Sequence, residues 1–135
     1  MAPAAWADRL NACSWSDLAQ ESWVWFTDAC PCRSLLERQL SPFVSEIRKI
    51  AVTDYEGTLK ALVASGAGLG LMHHDEAKGW QRTGEVCIWP HDSLPIGVYF
   101  ITRADRAADP AISAVRLALR QVWALDEAEN APEAC

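Results

Sequence analysis

The sequence predicts an α/β fold, a mostly parallel three-layer sheet with helices on both faces. Three observations lead to this prediction. Short runs rich in tryptophan, valine and isoleucine recur between stretches whose leucines repeat at helical spacing. Turn or helix-capping residues separate the two kinds of stretch. Strands that alternate with helices pair mainly in parallel, and such sheets are covered on both faces. The chain of 135 residues, 50% of them hydrophobic, is long enough for one domain with its own core.

The first strand and helix follow a short lead-in at residues 1–22, where Ser16 or Asp17 is expected to cap one helical turn. The segment SWVWFT, Ser22–Thr27, is aromatic and β-branched and ends in turn residues, which predicts a buried strand. PCRSLLERQL then carries three leucines on one helical face, with Pro31 where the first turn tolerates proline. We therefore expect a strand followed directly by a helix.

The same order repeats in the middle of the chain. EIRKIAVT reads as a strand that ends at Thr53. TDYE predicts a capping box, with Thr53 at the cap and Glu56 three residues later. The helix that follows is expected to bury Leu59 and Val63 and to end at Gly66, where glycine tolerates the left-handed conformation.

Four further elements complete the prediction. LGLMH is expected to form a third strand, and HDEA is expected to start a further helix with acidic residues at its positive end. EVCIWP and IGVYFITR predict two more strands, the second apolar on both faces as a fully covered strand is. Asp109 and Pro110 are expected to cap the last helix, and residues 126–135 to form a disordered polar tail.

Charge and composition exclude several classes of partner. The formal net charge is −6 and the three lysines lie far apart, so this chain has no basic stripe with which to bind DNA. No apolar stretch approaches the roughly 20 residues that span a bilayer, and the first fifteen residues lack the pattern of a secretory signal, so we predict a cytoplasmic protein without a membrane partner. Five cysteines, an odd number, favour reduced thiols.

The residues that follow the predicted strands are the candidate binding site. In open α/β sheets, ligands bind outside the carboxyl ends of the strands, which here are residues 27–33, 53–55 and 72–75. Cys30 and Cys32 lie where a helix start would lower a thiol pKa, and with His73 and His74 they form a candidate thiol or metal sensor. No ligand spacing of a known zinc site is met, so we favour the alternative of ordinary loop residues.

Catalytic patterns are missing from the sequence. No G-x-S-x-G nucleophile motif occurs, and no serine has a patterned base and acid beside it. GAGLG, at Gly66–Gly70, closes a helix instead of opening one, which is the reverse of a dinucleotide-binding loop. Asp75 and Glu76 are explained by the dipole of the helix they begin. We therefore predict a protein that is not an enzyme and that needs no cofactor.

Five segments in this order resemble the effector-binding domain of LysR-type transcriptional regulators of bacteria. They are APAAWADRL, DLAQESWVWFT, RSLLERQL, VTDYEGTLKALVASGAGLGLMHHDEA and IGVYFITRADRAADPAISAVRLALRQVW. The resemblance covers residues 1–125. It implies half of a type 2 periplasmic-binding-protein-like domain, namely the second subdomain with its returning strand and terminal helix. A DNA-binding region and the first subdomain are expected elsewhere, so the chain is either a piece of a longer regulator or a natural half-domain.

The resemblance also implies a small-molecule effector and a set of residues that bind it. Asp28 at the mouth of this site favours a polar or cationic effector over a simple carboxylate. A homodimer is expected, and DNA is a partner only through the region missing from this chain. A solute-binding module of the same fold, which would need export, is a further alternative. The expected effector-binding residues are Thr27, Asp28, Ala29, Cys30, Pro31, Cys32, Thr53, Asp54, Tyr55, Met72 and His73.

Overall fold

The structure is a computed structural model that describes residues 1–124. The tail predicted at residues 126–135 lies outside the described residues. The chain divides into two compact units, Met1–Leu94 and Pro95–Cys135. No helix within the described part of the chain is long and apolar enough to cross a membrane.

The first unit contains four short strands and five helices. The strands are β1 (Ala2–Pro3), β2 (Ser22–Trp25), β3 (Arg48–Val52) and β4 (Val86–Cys87). The helices are α1 (Ala7–Leu10), α2 (Trp15–Ala19), α3 (Pro31–Leu40), α4 (Glu56–Ala64) and α5 (His74–Arg82), with a 3-10 turn at Ala4–Trp6. The strand predicted at residues 22–27 is therefore confirmed over Ser22–Trp25, and the helix predicted from Pro31 is confirmed at that residue.

Two separate two-stranded ladders form the sheets. β2 pairs in parallel with β3, and β1 pairs antiparallel with β4. Leu69 makes a parallel bridge to Trp23 on the other side of β2. The Val24 N–H donates a hydrogen bond to the Leu69 carbonyl, and the Leu69 N–H donates one to the Ser22 carbonyl, each at 2.8 Å. The fold is thus mixed α/β, and the mostly parallel three-layer sheet is not confirmed. The predicted third strand is a single bridge because only Leu69 reaches β2.

β2 is buried on both faces and organises the core. Trp23 and Trp25 pack in one hydrophobic cluster with Leu36 of α3, whereas Val24 packs in the other with Leu59 of α4. Successive strand residues point to opposite faces, which explains how one tryptophan-rich strand anchors two helices. The indole N–H of Trp25 has no hydrogen-bond partner among the described residues.

The turn after α4 brings the chain back to β2. Gly66 has a φ of +89°, the left-handed conformation expected for the residue that ends this helix. Gly68 lies against β2, where a Cβ would meet the carbonyl oxygen of Ser22 and approach its carbonyl carbon to 2.8 Å. Glycine at this position therefore permits the close approach that lets Leu69 pair with β2.

Two predicted helix starts are wrong. The cap of α2 is Ser14, whose side chain accepts from Asp17 N–H, and not Ser16 or Asp17. α4 begins at Glu56 after Tyr55, without any side-chain cap, so the capping box at Thr53 does not form. The Thr53 hydroxyl instead accepts from Tyr55 N–H at 3.1 Å, and Tyr55 itself is extended, so the helix cannot begin before Glu56.

The second unit contains a 3-10 turn at Ala104–Arg106 and helix α6 (Pro110–Trp123). The Asp109 side chain accepts from Ala111 N–H at 2.9 Å, which confirms the predicted cap. The strand predicted in IGVYFITR is wrong: the segment forms no ladder within residues 1–124, and Val98 and Ile101 are each 86% exposed. An apolar sequence gives a covered strand only where another strand pairs with its backbone.

Candidate functional site

Three helices of the first unit begin at one edge of the parallel strands. β2 leads to α3, β3 leads to α4, and Leu69, which pairs in parallel with β2, leads to α5. Because parallel strands place their carboxyl ends on the same side, the starts of these helices share one edge. The predicted effector-binding residues belong to the loops and first turns at this edge.

A hydrogen-bonded pair ties the ends of β2 and β3 together. The backbone N–H of Thr27 donates to Asp54 Oδ1 at 3.0 Å, and the Thr27 hydroxyl donates to Asp54 Oδ2. The ladder continues alongside, with Thr53 N–H donating to the carbonyl of Trp25 at 2.9 Å. Thr27 and Asp54 therefore fix the distance between the two loops, and their polar groups are already engaged with each other.

An open pocket of about 250 Å³ lies at the start of α3. Four of its lining residues were predicted from the sequence, and three on α3 were missed. The missed residues fall on the same helical face as Cys30, at steps of three or four residues, so helical spacing was the signal that could have found them. The lining residues are Asp28, Ala29, Cys30, Pro31, Arg33, Ser34 and Glu37.

The charges of the pocket are arranged in pairs. Arg33 forms an ion pair with Asp28, and its Nε lies 3.4 Å from Glu37 Oε1. Glu37 also lies 3.6 Å from the ammonium of Lys49, which sits 4.9 Å from the centre of a Trp25 ring. Asp28 is therefore not an isolated negative charge at the mouth, because the Arg33 guanidinium faces it.

The two cysteines at the start of α3 differ in position, since Cys30 lines the pocket and Cys32 does not. Cys30 is the N-cap residue of α3 and Cys32 belongs to its first turn; both are half-buried and pack against the core that contains Trp25. Burial raises the pKa of the Cys32 thiol, and the neighbouring Cys30 raises it further. A thiol sensor of the predicted kind requires the opposite shift, so Cys32 does not fit that role.

The candidate metal set is not assembled. Among residues 1–124, no group of three or more histidine, cysteine, aspartate or glutamate side chains is placed to hold a metal ion. Cys30, Cys32, His73 and His74 therefore do not form one site, because the two histidines belong to the start of α5 and the two cysteines to the start of α3.

The remaining predicted residues lie outside the pocket. Tyr55 is 73% exposed before α4, and Met72 packs against the core cluster that contains Val24. His73 is the N-cap residue of α5 and stands near the carboxyl group of Glu76. A hydrogen bond to Glu56 raises the pKa of the Glu76 carboxyl, and the electrostatic effect of the nearby His73 acts in the opposite direction. These groups form a second polar patch.

The helices at this edge begin without side-chain caps. The N-cap residues of α3, α4 and α5, namely Cys30, Tyr55 and His73, make no side-chain hydrogen bond to the first turn. By contrast, α2 of the first unit is capped by Ser14 and α6 of the second unit by Asp109. First-turn N–H groups without an acceptor on the cap side chain suit a polar or anionic ligand group. In α3 these exclude Pro31, which has no N–H, and Arg33, whose N–H donates to the Cys30 carbonyl at 3.1 Å.

Comparison with known proteins identifies a family for the whole described part of the chain. The family model of the LysR substrate binding domain matches residues 1–124. No curated protein and no solved structure gave a significant match. The match runs through both units and includes every residue of the pocket and of the uncapped helix starts. The chain therefore belongs to the LysR substrate binding domain family.

Proposed function

We propose that this chain is the effector-binding, regulatory portion of a LysR-type transcriptional regulator and has no catalytic activity of its own. The family has a periplasmic-binding-protein-like fold, and its domains are regulatory. A regulator of this kind works on DNA in the bacterial cytoplasm, and our proposal includes that location. DNA contact would come from a separate region, because an acidic chain without a basic stripe does not bind the phosphate backbone.

The observation that carries the proposal is the set of uncapped helix starts beside the pocket. α3, α4 and α5 direct first-turn N–H groups toward the same edge without a side-chain acceptor. A small molecule with hydrogen-bond acceptors would satisfy these donors, and the open pocket at α3 gives it room. We expect Ala29, Cys30 and Pro31 to contact the effector directly.

The expected effector is polar, with acceptors for the helix starts and donors for the pocket carboxylates. Asp28 and Glu37 both pair with Arg33, so the pocket contains charges of both signs and not a concentration of one sign. A ligand cation would compete with Arg33 for Asp28, and a ligand anion would compete with Asp28 for Arg33. A polar or zwitterionic molecule meets both charges without leaving either unpaired.

In the proposed role, Thr27 and Asp54 act as positioning residues. Their hydrogen bonds hold the loops after β2 and β3 at a fixed separation. Effector binding would then stabilise one arrangement of the domain over another, because a ligand shifts a conformational equilibrium by its difference in affinity for the two states. That shift is what a DNA-binding region of the complete regulator would sense.

A thermal-unfolding screen with two matched variants tests the proposal. Polar compounds of several classes, such as amino acids, hydroxy acids, amines and sugars, are added to the chain and to Ala29→Arg and Ala61→Arg. Ala29 lines the pocket, so an arginine there fills it, whereas Ala61 is an exposed residue of α4 outside the pocket. A ligand at 100 times its Kd adds about 2.7 kcal/mol to the free energy of unfolding.

We expect at least one compound to stabilise both the wild-type chain and Ala61→Arg but not Ala29→Arg. Equal stabilisation of the two variants would mean that the compound binds elsewhere. The absence of stabilisation by every class would contradict effector binding by this chain.

The alternative roles gain less support. A thiol sensor needs a lowered thiol pKa, whereas burial raises that of Cys32. A metal sensor on the predicted cysteines and histidines needs residues that the described chain does not bring together. A solute-binding module has the same fold class and stays a prediction, which a secretory signal in the native gene would favour.

A further inference from the structure

Cys30 and Cys32 are brought together by the start of helix α3. Cys30 is the N-cap residue, Pro31 the first helical residue and Cys32 the second. Because Pro31 is helical, helix geometry sets the Cα atoms of the two cysteines about 5.4 Å apart.

This separation suits a bridge between the two sulfur atoms. Disulfides join cysteines whose Cα atoms lie roughly 4.4–6.8 Å apart, and one additional bridging atom fits a similar separation. Contact between the thiols is also indicated by the effect of Cys30, which raises the pKa of Cys32 partly through a hydrogen bond. The pair therefore presents two sulfur ligands on one short segment.

A reagent can reach the pair from solvent. Cys30 lines the open pocket, and both cysteines are free and half-buried. Cys87, by contrast, is buried, and Cys13 has no second cysteine within two residues. Cys30 and Cys32 are thus the cysteines of the described chain that combine access with a close partner.

We propose that Cys30 and Cys32 form a dithiol site that chelates a trivalent organoarsenical across Pro31. The arsenic atom forms a bond to each sulfur and keeps its organic substituent. With an arsine oxide, RAs=O, the two thiol protons leave with the oxygen as one water molecule, and no oxidant is needed. The product, RAs(S-Cys)₂, contains arsenic in the same trivalent state as the reagent.

The pair offers only two protein ligands, which favours a trivalent organoarsenical over a metal ion that needs more. Thiolates prefer soft, thiophilic ions. Zinc in structural sites takes four ligands, and the described chain offers no third histidine, cysteine, aspartate or glutamate to the pair. A trivalent arsenical that already carries one carbon substituent needs only two sulfur ligands. Because Cys30 also lines the pocket, such a ligand and an organic effector would compete for the space beside Cys30.

Intact-mass spectrometry with phenylarsine oxide tests the dithiol site. The reduced full chain, Cys30→Ser and Cys32→Ser are each treated with one equivalent and then challenged with excess 2-mercaptoethanol. We expect one adduct per wild-type chain that survives this monothiol but is removed by 2,3-dimercaptopropanol. Either single variant should lose roughly 100-fold or more in apparent affinity, the scale on which a second linked contact contributes.

Three controls locate the adduct. Cys13→Ser, Cys87→Ser and Cys135→Ser should each keep the monothiol-resistant adduct. Far-ultraviolet circular dichroism checks that every variant is folded; if Cys32→Ser unfolds, Cys30→Ser decides, because Cys30 lines the open pocket. A resistant adduct in Cys30→Ser, or its loss in any control variant, would overturn the proposal. Failure here would leave the thermal-shift result with organic effectors unaffected, so the two proposals fail separately.

Discussion

At the scale of single residues, the start of α2 illustrates how one hydroxyl places a helix. Ser14 N–H donates to Asp17 Oδ2 at 2.8 Å, and the Ser14 hydroxyl accepts from Asp17 N–H. This reciprocal pair satisfies two donors that the helix leaves unpaired. α2 then buries Leu18 and Ala19 in the core that contains Trp23.

Ser14→Ala should therefore destabilise the protein by about 1 kcal/mol, the typical contribution of an N-cap hydroxyl. Ser16→Ala is the matched control, because Ser16 is an exposed residue inside the same helix and has no capping role. Urea unfolding monitored by tryptophan fluorescence measures both variants. Equal stability of Ser14→Ala and Ser16→Ala would refute the role of the cap.

The same pair predicts a pH dependence. Hydrogen bonds from Ser14 lower the pKa of Asp17 below its ordinary value. A carboxyl whose folded-state pKa is lowered stabilises the fold above its unfolded pKa, and this contribution is lost as the pH falls through the folded-state pKa. The difference in stability between wild type and Ser14→Ala should thus shrink in acid. A difference that stays constant down to pH 2 would show that Asp17 is not involved.

At the scale of elements, the return from α4 to β2 depends on a glycine. A Cβ on Gly68 would press on the backbone of Ser22, whereas a Cβ on Gly79, inside α5, would meet no atom within 4 Å. Backbone atoms cannot move aside as the end of a flexible side chain can. The two glycines therefore respond oppositely to the same substitution.

Gly68→Ala should destabilise the protein by about 1–3 kcal/mol, as overpacking typically does. Gly79→Ala should stabilise it by about 0.5–1 kcal/mol, because alanine has the higher helix propensity. Thermal unfolding of both variants compares them directly. A Gly68→Ala protein as stable as wild type would mean that Leu69 does not need this close approach to pair with β2.

Local patterns in the sequence predicted where strands and helices lie better than they predicted which distant residues contact each other. The buried strand at Trp23, the start of α3 at Pro31 and the cap at Asp109 follow from residues close in the chain. The capping box at Thr53 failed because the chain stays extended through Tyr55, where Asp54 binds Thr27 across the strands. That contact joins residues far apart in the sequence, and no local pattern contains it.

The candidate site was predicted in part for the same reason. The positions of Asp28 and Cys30 follow from the end of a strand, which local sequence marks. The ion pair between Asp28 and Arg33 could not be predicted in this way, because it depends on how the Arg33 side chain of α3 is directed back toward the loop that contains Asp28. The expected preference for a polar or cationic effector rested on Asp28 alone and did not include its pairing with Arg33.

At the scale of the whole molecule, the second unit carries an exposed apolar segment at residues 95–101. Val98, Tyr99 and Ile101 are each more than 80% exposed. Contiguous apolar surface of this kind favours association. Together with the oligomers that are typical of the family, it supports the proposal that the chain forms dimers at high concentration.

Light scattering over a dilution series tests self-association. We expect the mean mass to rise with concentration for the wild-type chain and to stay monomeric for the double variant Val98→Lys, Ile101→Lys. A double variant of exposed α4 residues, Ala61→Lys, Ala64→Lys, adds the same charge outside this segment and should associate as wild type does. A wild-type chain that is monomeric throughout would refute the proposal.

The most direct test of effector binding is to map the ligand onto the backbone. ¹H–¹⁵N spectra of the labelled chain are recorded with the compound that stabilises it most. We predict that amide shifts change at the start of α3, above all at Cys32, Arg33 and Ser34, and less at the starts of α4 and α5. Changes confined to α2 or α6, whose starts are capped by side chains, would contradict the claim that this edge binds an effector.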